Sequence, residues 1–244
     1  MYIVIHPSVK PPTQPASLHN ISPTHVKSSS HHYMLTKLLR TVPKRTSLTT
    51  NYHTMSDAPV AFLPLGAIIQ TLRVGGVNIV QGFPSQPLYE THNAPYFGET
   101  IGRVANRVAG ATLRSLNGGR SYPLAANNGP NNLHGGVVGW GKKVWQGPTP
   151  VGVREIPGID GLDGGESVKF TLTSPDGDEG FPGTVEASVV YIAGKQVQDG
   201  KEVIVLGIEY EAELTGGADE TVINMTNHSY AATSFARTLD LCSS

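Results

Sequence analysis

Through much of the chain's second half, apolar residues recur at every second position. Val168, Phe170 and Leu172 alternate with Lys169, Thr171 and Thr173. Val185, Ala187, Val189 and Tyr191 share one face of the next such segment. Ile204, Leu206, Ile208, Tyr210, Ala212 and Leu214 share one face of a third. That period of two predicts half-buried β-strands. Opposite the third stripe stand Glu209, Glu211 and Glu213, so that face is expected to meet solvent. Residues 111–124 read as a hairpin turning at Asn117-Gly118-Gly119. No stretch after Met55 holds a helical period for more than about two turns. Strands separated by Gly-rich turns, without alternating helices, predict an all-β fold, an antiparallel β-sandwich.

Composition supports this reading. The 244 residues include 28 Gly and 18 Pro, and only 15% are charged, a balance that favours turns and strands over long helices. The single cysteine, Cys242, leaves no intrachain disulfide framework and no cysteine-based zinc site. No apolar run approaches the ~20 residues a membrane-spanning helix needs. A net charge of -1 gives no general case for nucleic-acid binding.

Charge is unevenly distributed, however. Residues 1–55 hold six Lys/Arg, six of the nine His and no Asp or Glu, while residues 56–244 hold twelve Lys/Arg and all nineteen Asp/Glu. The first 55 residues are rich in Ser, Thr, Pro and His and are expected to be a disordered basic extension. Within it, Leu35, Leu38 and Leu39 have helical spacing beside Lys37 and Arg40. An acid-free amphipathic segment of this kind suits a mitochondrial transit peptide. The plainer alternative is upstream sequence before a natural start at Met55, because globular composition begins there. The expected organisation is residues 1–55 as extension, 56–230 as the sandwich domain and 231–244 as a divergent tail.

Three loop-like stretches carry the candidate chemistry. The first is Pro95-Y-F-G-E-T-I-G-R-V-A-N-R-V-A-G110. The second is Asn127-N-G-P-N-N-L-H-G-G136, continuing into Val137-V-G-W-G-K-K-V-W145. The third is Thr221-V-I-N-M-T-N-H-S-Y230. They offer Arg103, Asn106, Arg107, His134, Asn227, His228 and Tyr230. Amides and guanidinium groups suit paired sugar hydroxyls, aromatic rings suit a sugar face, and histidine exchanges protons near neutral pH. No phosphate-cradling glycine loop, G-x-S-x-G elbow or H-E-x-x-H motif is present. The set favours binding and proton transfer on a neutral polyol over nucleophilic or metal chemistry. Plainer roles stand beside each residue. Arg103 and Arg107 also suit surface or sheet-capping positions, His134 a turn cap, and His228 a core position. Trp140 and Trp145 suit core or rim better than a sugar platform. Glu99 is expected near the arginines.

In these stretches the chain resembles the aldose 1-epimerase (galactose mutarotase) family. The resemblance rests on Gly98-E-T-I-G-R-V-A-N-R-V-A109, Asn127-N-G-P-N-N-L-H-G-G136, Gly139-W-G-K-K-V-W145, Ser174-P-D-G-D-E-G-F-P-G183 and Asn224-M-T-N-H-S-Y230, in order across about residues 58–230. It implies a large antiparallel β-sandwich and interconversion of the α and β anomers of free aldohexoses such as galactose and glucose. It implies no cofactor, no metal, no nucleic-acid or membrane partner, and a monomer in the cytoplasm, or in mitochondria if the extension is a transit peptide. By motif match, His228 is the catalytic acid at the ring oxygen. His134 binds and polarises the sugar beside it, and Asn106 and Arg107 bind hydroxyls. The family's general base is a glutamate well downstream of N-H-S-Y. Residues 231–244 contain no glutamate, and Asp240 is too close to the motif to be carried over. The expectation is a C-terminally shortened member with little or no mutarotase activity. Its alternatives are a non-catalytic carbohydrate-binding protein and a non-functional fragment.

Overall fold

The structure, a computed structural model, describes residues 60–74 and 76–231, together with strand backbone at residues 3–5 and 32–39. In chain order the strands begin with β1 (Ile3–Ile5), β2 (His32–Leu39), β3 (Val60–Leu63), β4 (Ile68–Val74) and β5 (Val77–Asn78). After the short helix α1 (Gln86–His92) come β6 (Thr100–Ile101), β7 (Arg107–Val108), β8 (Thr112–Leu116), β9 (Arg120–Pro123) and β10 (Asn132–Leu133). The chain continues with β11 (Gln146–Val153), β12 (Asp163–Ser174), β13 (Thr184–Gln198), β14 (Lys201–Gly216), β15 (Thr221–Ile223) and β16 (Thr226–Asn227).

Five strands form the main sheet, in the order β11-β12-β13-β14-β2. All of its pairings are antiparallel. The alternating stripes meet across it as the sequence predicts, with Phe170 opposite Val189 and Tyr191 opposite Ile208. Their inward side chains pack against Val60, Ile69 and Leu72 of the smaller β3-β4-β5 sheet and against Trp140 and Trp145. This apolar layer between two sheets is the core of a β-sandwich. Phe62 from the small sheet stacks on Tyr191 at 4.4 Å between ring centroids.

β13 differs from simple alternation, because Val190 and Ile192 on its second face are buried too. The segment after β11 covers them, bringing Ile156, Ile159 and Leu162 onto Val190, Ile192, Val203 and Val205. The glutamate face of β14 is correspondingly mixed. Glu211 and Glu213 are exposed, whereas Glu209 is buried and pairs with Arg154 at 3.0 Å. At one margin of the main sheet, β11 carries Pro148 and Pro150, which supply no amide to an approaching strand.

At the other margin stands β2, in a region expected to be disordered. It runs antiparallel to β14, with Leu39 opposite Val203 and His32 opposite Tyr210. β1 likewise pairs with β15. In these two segments the structure has strands where the sequence suggested disorder and helical spacing. The physical reason is the long row of backbone donors and acceptors on the edge of β14, which eight residues free of Gly and Pro can satisfy. The rest of the proposed extension, the boundary at residue 55, and the tail beyond Ala231 lie outside the described residues. Among the described residues, no helix is long and apolar enough to cross a membrane.

Tyr191 links this scaffold to the loops. Its hydroxyl donates to the Ala67 carbonyl at 2.7 Å and sits 3.1 Å from the Thr100 hydroxyl. β6, at the start of the first candidate loop, is thereby fixed over the main sheet. β16 pairs with β6, placing Asn227 opposite Thr100 and bringing in the third loop.

Candidate active site

The asparagine-rich loop is held by its own side chains. Asn127 donates to the carbonyls of Leu133 and Gly136 and accepts from the Leu133 amide, closing the turn on itself. Asn132 donates to the Ala125 carbonyl, and Asn131 accepts from the Gly110 amide. Asn128 accepts from Arg107 Nε at 2.9 Å. The asparagines thus shape the loop and aim an arginine. Downstream, both Glu179 carboxylate oxygens accept backbone amides, from Val137 and Val138.

This framework puts His134 against the first loop. The Asn106 amide donates to His134 Nδ1 at 3.1 Å, and the His134 amide donates to the Asn106 carbonyl at 2.9 Å. Because Nδ1 accepts, the neutral ring carries its proton on Nε2. Gly135 follows with φ +82, and a Cβ there would strike the Gly102 carbonyl, so this close approach of two loops requires glycine. Arg107 Nη1 donates to Asn106 Oδ1 at 3.2 Å. Asn106 and Arg107 are exposed, while His134 is half-buried.

His228 arrives from the third loop. Its amide donates to the Glu99 carbonyl at 2.8 Å, and its carbonyl accepts from the Gly98 amide. The His134 and His228 rings meet edge to face, with centroids 4.9 Å apart. Tyr96 touches both rings, at 4.8 Å from His134 and 5.7 Å from His228, and Tyr230 lies 5.3 Å from His228. Tyr96, Asn106 and His134 all hold positive φ, at 62°, 60° and 52°. Left-handed backbone at non-glycine residues costs energy and concentrates at functional sites.

The electrostatics disfavour protonated imidazoles. Burial first, then His228, Arg107 and Lys142, push the His134 pKa down to about 4. Burial, followed by Lys142, also lowers that of His228, against a backbone hydrogen bond that raises it. None of the ion pairs among the described residues joins a carboxylate to either ring. A depressed folded-state pKa contributes stability that is complete above the unfolded value and lost as pH falls through the folded one. His134 should therefore destabilise the chain as pH falls from about 6.5 toward 4. In urea unfolding across that window, His134→Gln is expected to lose less stability than the parent. Parallel curves would contradict the assignment.

The other named residues fall elsewhere. Arg103 is an interior residue, 1% exposed, and takes no part in the site surface. Asn227 donates to the Gly98 carbonyl and accepts from the Ser229 amide, so it shapes the third loop. Trp140 and Trp145 are both 1% exposed and belong to the core. Glu99, expected near the arginines, pairs instead with Lys142 at 2.5 Å. For Tyr96 and Lys142 the sequence carries no signal beyond their place inside the first two stretches. Among the described residues, no group of three His, Cys, Asp or Glu side chains is placed to hold a metal ion.

Comparison with known proteins gives this arrangement its context. The family model described as aldose 1-epimerase matches residues 52–240. The chain belongs to the aldose 1-epimerase family. Galactose mutarotase of Bos taurus is 40% identical over 153 residues, which are 63% of this chain and 36% of the bovine protein. The chain therefore spans little more than a third of that relative's length. Among solved structures, the GalM/aldose epimerase homologue of C. elegans aligns with TM-score 0.51 at 29% identity, over 70% of this chain and 46% of that one. Galactose 1-epimerase of Lactobacillus acidophilus aligns with TM-score 0.53 at 23% identity, over 83% of this chain and 53% of its own, a likeness of fold.

Proposed function

We propose that the cluster of Asn106, Arg107, His134 and His228 binds a free aldohexose such as galactose or glucose, and supplies the acid side of anomer interconversion. The observation that carries this reading is the meeting of His134 and His228 from separate loops, their centroids 4.9 Å apart. Arg107 and the Asn106 side chain suit adjacent hydroxyls. The proton on His134 Nε2 suits a hydrogen bond near the ring oxygen. His228 gives a proton to the ring oxygen as the C1–O5 bond breaks and its electron pair moves to O5. A base takes the C1 hydroxyl proton, leaving an aldehyde. Rotation about C1–C2 and re-closure on the other face then give the second anomer.

The described residues do not supply that base. Glu99 is 1% exposed and occupied by Lys142, and no described carboxylate pairs with either imidazole. Water is a weak substitute, because a positioned proton-transfer group contributes roughly 10²–10⁴-fold. The reading is therefore of a sugar site with impaired mutarotase activity. Burial, which lowers the His228 pKa, works in the same direction, because it disfavours the protonated acid.

Polarimetry and equilibrium binding test it. The purified chain is expected to bind galactose saturably and to speed α-D-galactose mutarotation little. Losing a hydrogen bond from a charged group costs ~1.5–3 kcal/mol. Arg107→Met should accordingly weaken binding by about tenfold or more. Acceleration equal to that of bovine galactose mutarotase assayed alongside would overturn the impairment. Binding with no acceleration would favour the non-catalytic alternative, and no binding would remove the sugar reading.

A further inference from the structure

The buried carboxylate of Glu99 is not used in the chemistry above, yet it lies directly behind the site. Glu99 Oε1 accepts from Asn93 Nδ2 at 2.7 Å and from Lys142 Nζ at 2.5 Å. Lys142 Nζ also donates to the Asn93 carbonyl at 2.6 Å. Asn93 is 3% exposed and closes the turn it begins, because its side chain both donates to the Phe97 carbonyl and accepts the Phe97 amide. Tyr96 lies inside that turn, its amide bonded to the Asn93 carbonyl. The Lys142 ammonium sits over the Tyr96 ring, 4.5 Å from its centroid. The same ring touches His134 and His228. One connected chain of contacts thus runs from a buried carboxylate, through a lysine and a tyrosine, to both imidazoles.

We infer that Lys142 is a positioning residue of the sugar site: anchored by Glu99 and Asn93, it clamps the Tyr96 ring so that Tyr96 fixes the angle and spacing of His134 and His228. The sugar part of this inference rests on the function proposed above; the clamp itself does not. Three features support the clamp. Tyr96 holds φ 62°, a backbone conformation that surrounding contacts must maintain. The three anchoring contacts of Lys142 all come from the Asn93–Glu99 turn, more than forty residues before it in sequence, so the lysine ties its own Trp140–Val144 segment to that turn. Its charge also acts on both imidazoles, alongside Arg107 and the opposing imidazole at His134, and no carboxylate figures among the charges acting on either ring.

Histidine-ring NMR on the full chain tests this without any sugar. Lys142→Met keeps the aliphatic stem and removes the charge. Burial holds the Glu99 pKa at about 7, so Glu99 can take up a proton when its partner is lost. The double variant Glu99→Gln/Lys142→Met removes both charges and guards against misfolding of the single one. Tyr96→Leu leaves the Glu99–Lys142 pair in place and removes only the ring. In each folded variant, cross-relaxation between the two imidazoles should weaken. In the two lysine variants, both imidazole titration midpoints should also rise toward the ordinary histidine value. Galactose affinity should drop roughly tenfold or more, as expected when binding groups lose their alignment. Unchanged ring contacts and midpoints in a folded double variant would overturn the clamp. Shifted rings with galactose affinity intact would overturn its role in the site. If the parent chain binds no galactose, the proposed function fails, while ring contacts and titrations still decide the clamp.

Discussion

Arg103→Met is expected to destabilise the chain by ~3–5 kcal/mol, the usual cost of breaking a buried charged network by removing one partner. Arg103 is 1% exposed, and its guanidinium is almost fully committed. Nε and Nη2 donate to Ser174 Oγ at 3.2 and 2.9 Å, and Nη2 also donates to the Ser174 and Pro175 carbonyls, both at 3.0 Å. Nη1 donates to the Pro182 carbonyl at 2.8 Å and to Thr221 Oγ1 at 3.2 Å. Burial lowers its pKa to about 10, opposed by Asp178 and Asp176, so it stays charged at neutral pH. Methionine fills much of the space but leaves those carbonyls and hydroxyls without donors, and each buried unsatisfied group costs ~1–3 kcal/mol. Against a typical total stability of ~5–15 kcal/mol, that loss is large. Arg103→Lys should fall between the two, because an ammonium cannot reproduce the planar fork. Urea unfolding provides the measurement, and a loss below ~1 kcal/mol would contradict this account.

The network also explains how three distant segments come to share one site. Arg103 joins the loop bearing Asn106 and Arg107 to the Ser174–Pro182 turn and to β15, which leads to His228. The same turn carries Glu179, which holds the amides of Val137 and Val138 beyond His134. Asp178 adds an ion pair to Lys143 at 2.6 Å and accepts from Ser174 Oγ at 2.5 Å. A charged residue in a motif-rich loop invites a ligand-binding role. Arg103 instead organises the scaffold, and its neighbour four residues on, Arg107, remains at the surface.

What could be read from sequence follows the range of the interactions. The stripe Val168-Phe170-Leu172 and its partners in β13 and β14 were legible because a period of two is a local property. The Asn117-Gly118-Gly119 turn was legible for the same reason, and it joins β8 to β9 as expected. The second buried face of β13 was not, because Ile156, Ile159 and Leu162 reach it from a loop without periodicity. Arg103 was ambiguous because the acceptors that settle its burial lie 71 to 118 residues away. Glu99, expected near the arginines, pairs with Lys142, because proximity in a motif says nothing about side-chain direction. β2 was missed because its strand state depends on the edge of β14, not on its own spacing. His134 and His228 stand out in the sequence only through resemblance and motif chemistry. Their approach to 4.9 Å belongs to tertiary structure alone.

Trp140→Ala should match or exceed the Arg103 variant, at ~3–5 kcal/mol for a large aromatic removed from a core, and it should also weaken the galactose binding proposed for the site. The indole is 1% exposed and packs edge to face with Trp145, at 6.1 Å and 83°. It also lies so close over Gly102 that a Cβ at that position would meet the ring. The Trp140 amide donates to the Gly102 carbonyl at 3.1 Å, and the Trp140 carbonyl accepts from Trp145 Nε1 at 3.0 Å. Gly102 belongs to the Asn106–Arg107 loop, whereas Trp140 begins the short turn that carries Lys142. Alanine leaves the backbone bonds possible but opens a void where the two loops press together, so His134 and Asn106 lose their fixed relation. Gly102→Ala approaches the same contact from the other side, by pushing the indole away. The two variants should therefore weaken galactose binding together, although Gly102→Ala removes no apolar surface. If Trp140→Ala unfolds at the parent's urea concentration, the indole is not a core element. If both variants are destabilised while galactose affinity stays at the parental value, the packing of Trp140 on Gly102 supports the sandwich without setting the geometry of the site.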